Sequence, residues 1–418
     1  MPKRHVASHK EAPAPLFDTL ENLNLRAKDM SVYVRAYIES CGLDAAAEDY
    51  QHTVEFLYNY RGSPDTFASY RRETERLLHW CWFIRQRTLA SLKRVDVEHY
   101  IEFCQSPPPT WIGINTCARF TNIEGERRPN PNWRPFVVKS AKTKPTPDTR
   151  DFSLSSKALQ SVFAILSSFF TYLVQEEYIA VNSIALMRQK SKYLRKHQHK
   201  AKIRRLTETQ WAYVVQTAES LAAHDPDQHE RTLFIISALY GMYLRISELA
   251  ATERWTPQMG DFSMDMDGNW WFTTVGKGNK ERDISVSNEM LMSLKRYRVA
   301  QGLSPLPAPG ETTPLISKTR GRGPLSSTRQ IRNIVQLCFD MAVSCMQKDG
   351  LEQDAELLKS ATVHWLRHTG ISDDVKHRPR EHVRDDAGHG SSAITDKYID
   401  VEMRERHQSA RKKLIKPL

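Results

Sequence analysis

The segment KALQSVFAILSSFFTYLVQ, residues 157–175, limits the fold more than any other. Its apolar residues Leu159, Val162, Phe163, Leu166, Phe169, Phe170 and Leu173 are spaced 3, 1, 3, 3, 1 and 3, the stripe of a helix buried along one face. A strand alternates its side chains and cannot gather these seven on one side. So wide a stripe needs other helices to cover it, and the sequence supplies them. In SPDTFASYRRETERLLHWCWFIRQ, Phe67, Tyr70, Thr74, Leu77, Cys81 and Ile84 share a face, with Ser63 or Asp65 as cap. Further helices are read near 44–60 and over VDVEHYIEFC, 95–104.

At 418 residues the chain exceeds one ordinary core, so two domains are expected. Residues 1–20 read as a flexible leader and 21–190 as the helical domain. That domain is interrupted at 106–150 by a surface insertion rich in proline and poor in periodicity, with SPPPTW and KTKPTPDT. Residues 191–206 close a strongly basic stretch, RQKSKYLRKHQHKAKIRRL, that reads as an exposed linker.

The second domain, 207–418, opens with Thr207 as a helix cap, and RTLFIISALYG (231–241) is apolar nearly all round, marking a central helix. NWWFTTVGKGNKERDISVS (269–287) changes period: two strand-like runs flank GKGN, a hairpin with lysines at its tip. Helices return around 288–300, 327–347 and 361–371. The class is mostly α with a small antiparallel sheet.

There are 60 Lys+Arg against 49 Asp+Glu, a net charge of +11, which points to a polyanionic partner, nucleic acid before membrane. No run of 18 apolar residues exists, and MPKRHVASHKEAPAP lacks the apolar core of a secretory signal. The six cysteines form no C-x-x-C pair, which suits a reduced, cytoplasmic chain.

Several polar residues run against local packing. Arg245 in GMYLRISELAA follows an apolar helix; alone it is an ordinary helix-end charge. Lys277 sits in the hairpin turn GKGNKER, and alone would be solvated. His364 and Arg367 in HWLRHTG share one helical face, and His389 precedes Tyr398 by nine residues in GHGSSAITDKY. His364 and His368 are four apart, but no H-E-x-x-H pattern or nearby thiol supports zinc, so no metal is assigned.

In this order and spacing, LRISEL, GKGNKER, HWLRHTG and GHGSSAITDKY resemble the motifs of the tyrosine recombinase (phage integrase) family nearly letter for letter. The resemblance covers 206–402 well and 44–190 more loosely. It implies an N-terminal helical, SAM-like core-binding domain and a C-terminal tyrosine-recombinase catalytic domain. It further implies site-specific cutting and rejoining of DNA through a 3′-phosphotyrosyl intermediate, in the service of a mobile element, with no cofactor. Tyr398 would be the nucleophile, Arg245 and Arg367 the grip on the phosphate, Lys277 the acid for the departing 5′-oxygen, His364 the acceptor of the phenol proton and His389 a donor to the phosphate. Glu248, three after Arg245, would orient that arginine.

DNA contacts are expected from Arg71, Lys192, Arg195, Lys196, Arg204, Arg205, Lys280 and Arg282. The implied partners are double-stranded DNA with specific sites, further protomers in a homotetramer or mixed recombinase assembly, and accessory proteins; the implied location is cytoplasmic and nucleoid-associated. Two other readings stay open: a type IB topoisomerase-like relaxation of DNA, and a catalytically silent DNA-binding regulator. The chain departs from the family in three telling places. Tyr243-Leu244-Arg245 stands where Gly-Leu-Arg is usual, Ala387-Gly388-His389 replaces Leu-Gly-His, and 372–386 is more polar than its usual counterpart, which puts the local helix there in doubt.

Overall fold

The computed structural model describes residues 12–23, 25, 30–138, 148–185, 204–252, 255–276, 279–318, 321–395 and 411. The chain folds as two compact units, 1–198 and 199–418.

The first unit is helical: α1 (Val32–Glu39), α2 (Ala46–Tyr58), α3 (Pro64–His79), α4 (Arg94–Gln105) and α5 (Ser156–Gln175). The Ser155 hydroxyl caps α5 by accepting from the Ala158 amide at 3.2 Å. All seven residues of the α5 stripe are buried, in one core with Val54, Leu57, Phe67 and Leu77. Among the described residues α5 is also the one helix with the length and hydropathy of a bilayer span, yet that stripe faces this core. α3 continues into a π turn, Trp80–Arg85, that buries four consecutive side chains, Trp80, Cys81, Trp82 and Phe83. Beneath them Asp49 accepts from the Trp82 indole at 2.9 Å, the Tyr178 hydroxyl at 2.7 Å and the Leu89 amide at 3.0 Å.

Two expectations for this unit are corrected. The leader was expected to be flexible through residue 20, but Leu16 and Phe17 are buried, the Leu16 amide donates to Glu75 at 2.7 Å, and Phe17 stacks on Tyr50. Two large apolar side chains suffice to anchor a short extended segment. Residues 1–11 lie outside the described residues. The insertion at 106–150 is likewise not irregular throughout: β1 (Ile112–Gly113) pairs in parallel with β4 (Phe136–Val137), and β2 (Phe120–Ile123) forms a hairpin with β3 (Glu126–Pro129). Its own small core is Trp111, Ile112, Phe136 and Val138. Arg127 grips Asp18 with two bonds, at 2.7 and 2.8 Å.

The second unit contains α6 (Glu208–His224), α7 (Pro226–Gly241), the antiparallel sheet β5 (Phe262–Met264), β6 (Trp270–Val275) and β7 (Glu281–Ser285), then α8 (Asn288–Ala300), α9 (Thr328–Lys348), α10 (Glu352–Lys359), α11 (Val363–Asp374), α12 (Arg380–Ala387) and the short α13 (Ser392–Thr395). A reciprocal cap starts α6: Thr207 Oγ1 accepts from the Gln210 amide at 3.1 Å, and Gln210 returns its side-chain oxygen to the Thr207 amide at 3.0 Å. α7 is the central helix, with Phe234, Ile235, Ile236, Ala238 and Leu239 all nearly inaccessible. α11 crosses it closely, since a Cβ built on Gly370 would overlap the Tyr240 carbonyl oxygen. The sheet has three strands rather than the two read from the sequence, with Phe272 opposite both Phe262 and Ile284.

Within the polar stretch 372–386, where the helix was in doubt, residues 380–386 do form one, as the bulk of α12. Val383 and Ala387 are buried, and Asp386 is buried with partners, so three inward positions are enough.

Candidate active site

The polypeptide reverses sharply between α7 and the 3-10 turn Ile246–Glu248, and Tyr243 turns the corner at φ +49°. This is the left-handed region, open to glycine and costly for a tyrosine. A glycine would take this conformation freely; here a tyrosine holds it. Arg245 follows, and both its ends are fixed by Glu248: the main-chain amide donates to one carboxylate oxygen at 2.8 Å and Nη1 to the other at 2.9 Å.

Glu248 is itself nearly inaccessible and lies between two arginines. Arg282, from β7, donates to it with Nη1 at 2.9 Å and Nη2 at 2.8 Å. Burial alone would push the Glu248 carboxyl up; the Arg282 fork, with the amide and guanidinium of Arg245, outweighs it and brings the carboxyl below its usual range. Gly276, in the hairpin, closes over this trio. A Cβ there would sit 2.9 Å from Arg282 Nη1 and 3.2 Å from a Glu248 oxygen.

α11 carries the next components. His364, Arg367 and His368 lie on one side of it, and the two imidazole centroids are 4.2 Å apart. Arg367 is only 2% exposed. Its two terminal nitrogens donate to the main-chain carbonyls of Tyr243 and Ala387.

α12 ends at Gly388, whose φ of +61° supplies the left-handed cap, so that the His389 amide returns to the Arg384 carbonyl at 3.1 Å. The Gly388 carbonyl accepts from Arg245 Nη2 at 3.4 Å, and the Asp386 carbonyl accepts from Arg282 Nε at 3.0 Å. The end of α12 thus presents carbonyls to three arginines and sets His389 beside them. His389 Nδ1 is 2.9 Å from Thr395 Oγ1.

The electrostatics follow from this crowding. Burial and the positive charges of Arg367, Arg245 and Arg282 hold His389 down at about 4. Burial, His364, Arg367 and His389 do the same to His368, also at about 4. His364 stands at the solvent edge; partial desolvation, then Arg367 and Arg245, lower it too. At neutral pH the site holds fixed guanidinium charges and uncharged imidazoles. It suits an anion and leaves ring nitrogens able to accept protons. Among the described residues no group of three or more His, Cys, Asp or Glu converges as a metal site would require.

Of the six residues proposed for chemistry, Arg245, His364, Arg367 and His389 come together here; Lys277 and Tyr398 lie outside the described residues, as do Lys192, Arg195 and Lys196. Arg204 and Lys280 are exposed. Arg205 is within 3.9 Å of Asp373. Two of the expected DNA contacts have partners within the fold. Arg282 points inward onto Glu248 and Asp386 rather than out to solvent. Arg71 donates to the Asp18 carbonyl and lies over the Phe67 ring, and its guanidinium is brought down to about 10 by burial. His368 and Thr395 carried no assignment in the sequence. The spacing of His368 one turn beyond His364 was the available signal for it; Thr395 offered none.

A curated protein, the tyrosine recombinase XerC of Actinobacillus pleuropneumoniae serotype 7 (strain AP76), is 26% identical over 254 residues, which cover 60% of this chain and 69% of that protein. No protein-family model matches the chain. Among solved structures, the XerH site-specific recombinase in a post-cleavage complex with palindromic difH DNA aligns over 95% of this chain and 99% of its own, with TM-score 0.56 and 13% identity. The Tn1549 transposon integrase in complex with circular intermediate DNA aligns over 87% of this chain and 98% of its own, with TM-score 0.51 and 15% identity.

Proposed function

Because the chain resembles the tyrosine recombinases in sequence and shares their fold, we propose that it is a site-specific DNA recombinase that cuts and rejoins strands through a 3′-phosphotyrosyl link. The observation that carries the reading is the convergence of Arg245, Arg367 and His389, from three separate stretches of sequence, on the end of one short helix, with His364 on the same side of α11 as Arg367.

The chemistry is a transesterification at phosphorus. The phenolic oxygen of Tyr398 attacks, a phosphorus–oxygen bond to Tyr398 forms, and the bond to the 5′-oxygen breaks. His364, kept uncharged at neutral pH by burial and the nearby arginines, takes the phenol proton, and Lys277 protonates the leaving oxygen. Charge that builds on the non-bridging oxygens is met by Arg245 and Arg367, already fixed by Glu248 and by two main-chain carbonyls, with little reorganisation left to make. His389 adds a hydrogen bond to the same phosphate. The tyrosyl ester conserves the bond energy, so a 5′-hydroxyl reverses the step without nucleotide hydrolysis.

Double-stranded DNA is the substrate in this account. Arg204, Lys280 and the basic run at 188–206 follow its backbone, and four protomers bring two sites together. Cytoplasmic, nucleoid-associated action in the integration, excision or transposition of a mobile element fits a fold shared with a transposon integrase. The similar proteins are recombinases and an integrase, which favours strand exchange over topoisomerase-like relaxation or a silent regulator. The test is to denature the protein on its DNA and look for a covalent adduct at Tyr398. A DNA-linked peptide containing Tyr398 is the expected result; adducts absent from wild type, or unchanged in Tyr398→Phe, overturn the proposal.

A further inference from the structure

Arg367 is held by two carbonyls, those of Tyr243 and Ala387, that belong to different elements. What fixes those carbonyls relative to each other is a polar network behind the site, centred on Arg378 in the turn between α11 and α12. Arg378 Nη1 donates to the Tyr243 hydroxyl at 3.0 Å and to Asp374 at 3.1 Å, and Tyr243 in turn donates to Asp374. Its Nη2 donates to Asp386 at 2.6 Å and to the Ser285 hydroxyl at 2.9 Å. Ser285 closes the circuit with two bonds to Asp386, from its amide at 3.2 Å and its hydroxyl at 2.6 Å.

We infer that Tyr243, Asp374, Arg378 and Asp386 form a positioning network that sets the phosphate-gripping arginines: the side chain of Tyr243 fixes the carbonyl that holds Arg367, and Asp386 fixes the end of α12. The logic is geometric. Tyr243 stands at a left-handed backbone position that a tyrosine adopts only against a steric penalty, so something must hold it there. Its ring packs with Ile371, Val383 and Ala387, and its hydroxyl is bound from two sides. At the other end, the Asp386 side chain is tied to Arg378 and Ser285 while its own carbonyl accepts from Arg282, the residue that clasps Glu248 and through it Arg245. One guanidinium therefore joins the supports of both arginines. In this chain tyrosine does by side-chain anchoring what glycine does by backbone freedom.

The inference rests on the proposed recombinase function, and its test separates the two. Tyr243→Phe removes only the hydroxyl and keeps the ring; Arg378→Gln removes the hub. For each, single-turnover adduct formation is measured on nicked duplexes made from DNA the protein retains, alongside the Kd for the same duplex and the exchange rate of the Arg367 Nε–H in the full-length protein. The network predicts adduct formation slowed at least about tenfold in Tyr243→Phe, Kd changed by less than about twofold, and faster Arg367 exchange. If wild type forms adducts and both variants match it within about twofold, the network has no positioning role. If wild type forms none, the recombinase reading fails, and the Arg367 exchange alone decides: unchanged rates overturn the network, and accelerated rates sustain it.

Discussion

Glu248 receives both arms of Arg282, at 2.9 and 2.8 Å, in a position almost sealed from solvent. The pair joins the sheet to the turn that bears Arg245, so the hairpin serves as part of the site's frame. Removing the carboxylate leaves a buried guanidinium without its counter-charge. Glu248→Gln should destabilise the second unit by about 3 kcal/mol or more and slow adduct formation. Because this carboxyl titrates below its usual range, its contribution is complete above the unfolded value and disappears as pH falls through the folded one. Denaturant unfolding at pH 7 and at pH 3 checks both parts: the variant's deficit should be smaller at the second than at the first.

The imidazoles make an independent prediction. His389 and His368, held at about 4 in the folded chain, stay neutral at pH 7 and contribute stability that is present above their ordinary unfolded value and lost as pH falls through about 4. A phosphodiester placed among them adds negative charge and raises both. DNA binding should therefore take up protons, and affinity should increase as pH is lowered from about 7 to about 5. NMR titration of the ring protons with and without a duplex measures this directly. A His389 that titrates above about 6 without DNA contradicts the described electrostatics.

Gly388 offers a steric test. Its φ is +61°, and an added Cβ would lie 2.9 Å from the Arg282 side chain. Gly388→Ala should cost about 1–2 kcal/mol in backbone strain and push Arg282 off Glu248. Adduct formation should drop further than stability does, as shown by comparing single-turnover rates with Tm.

In the first unit, burial pushes Asp49 up to about 6 despite donors from Trp82, Tyr178 and Leu89. A carboxyl raised in this way favours the fold fully below its unfolded value near 3.8, and that advantage is lost as pH rises through about 6. Roughly 3 kcal/mol is at stake. Thermal unfolding followed by tryptophan fluorescence should show stability declining between pH 4 and pH 6, and Asp49→Asn should flatten that dependence.

Much of this architecture was legible because helices announce themselves by period: the stripe from Leu159 to Leu173 and the apolar run 231–241 both became core helices. GKGN marked the hairpin through its turn residues. Other parts left no such trace. Two-residue strands such as Ile112–Gly113 have no period, and their pairing depends on Trp111 and Phe136, far apart in sequence. Helix α12 hid behind its charges because its inward Asp386 is satisfied by Arg378 and Ser285. Arg282 read as a DNA contact because its partner Glu248 lies 34 positions away. Periodicity finds what the hydrophobic effect organises; ion pairs between distant residues have no sequence period to find.

The central claim is that this convergence of arginines and imidazoles serves a phosphate under attack by one phenol. The most direct measurement is mass spectrometry of peptides from protein denatured on its DNA, wild type beside Tyr398→Phe. The account predicts a nucleotide-bearing peptide whose modified residue is Tyr398, lost in the variant while DNA binding persists. A wild-type protein that binds DNA yet yields no such peptide, or one modified at another residue, would contradict it.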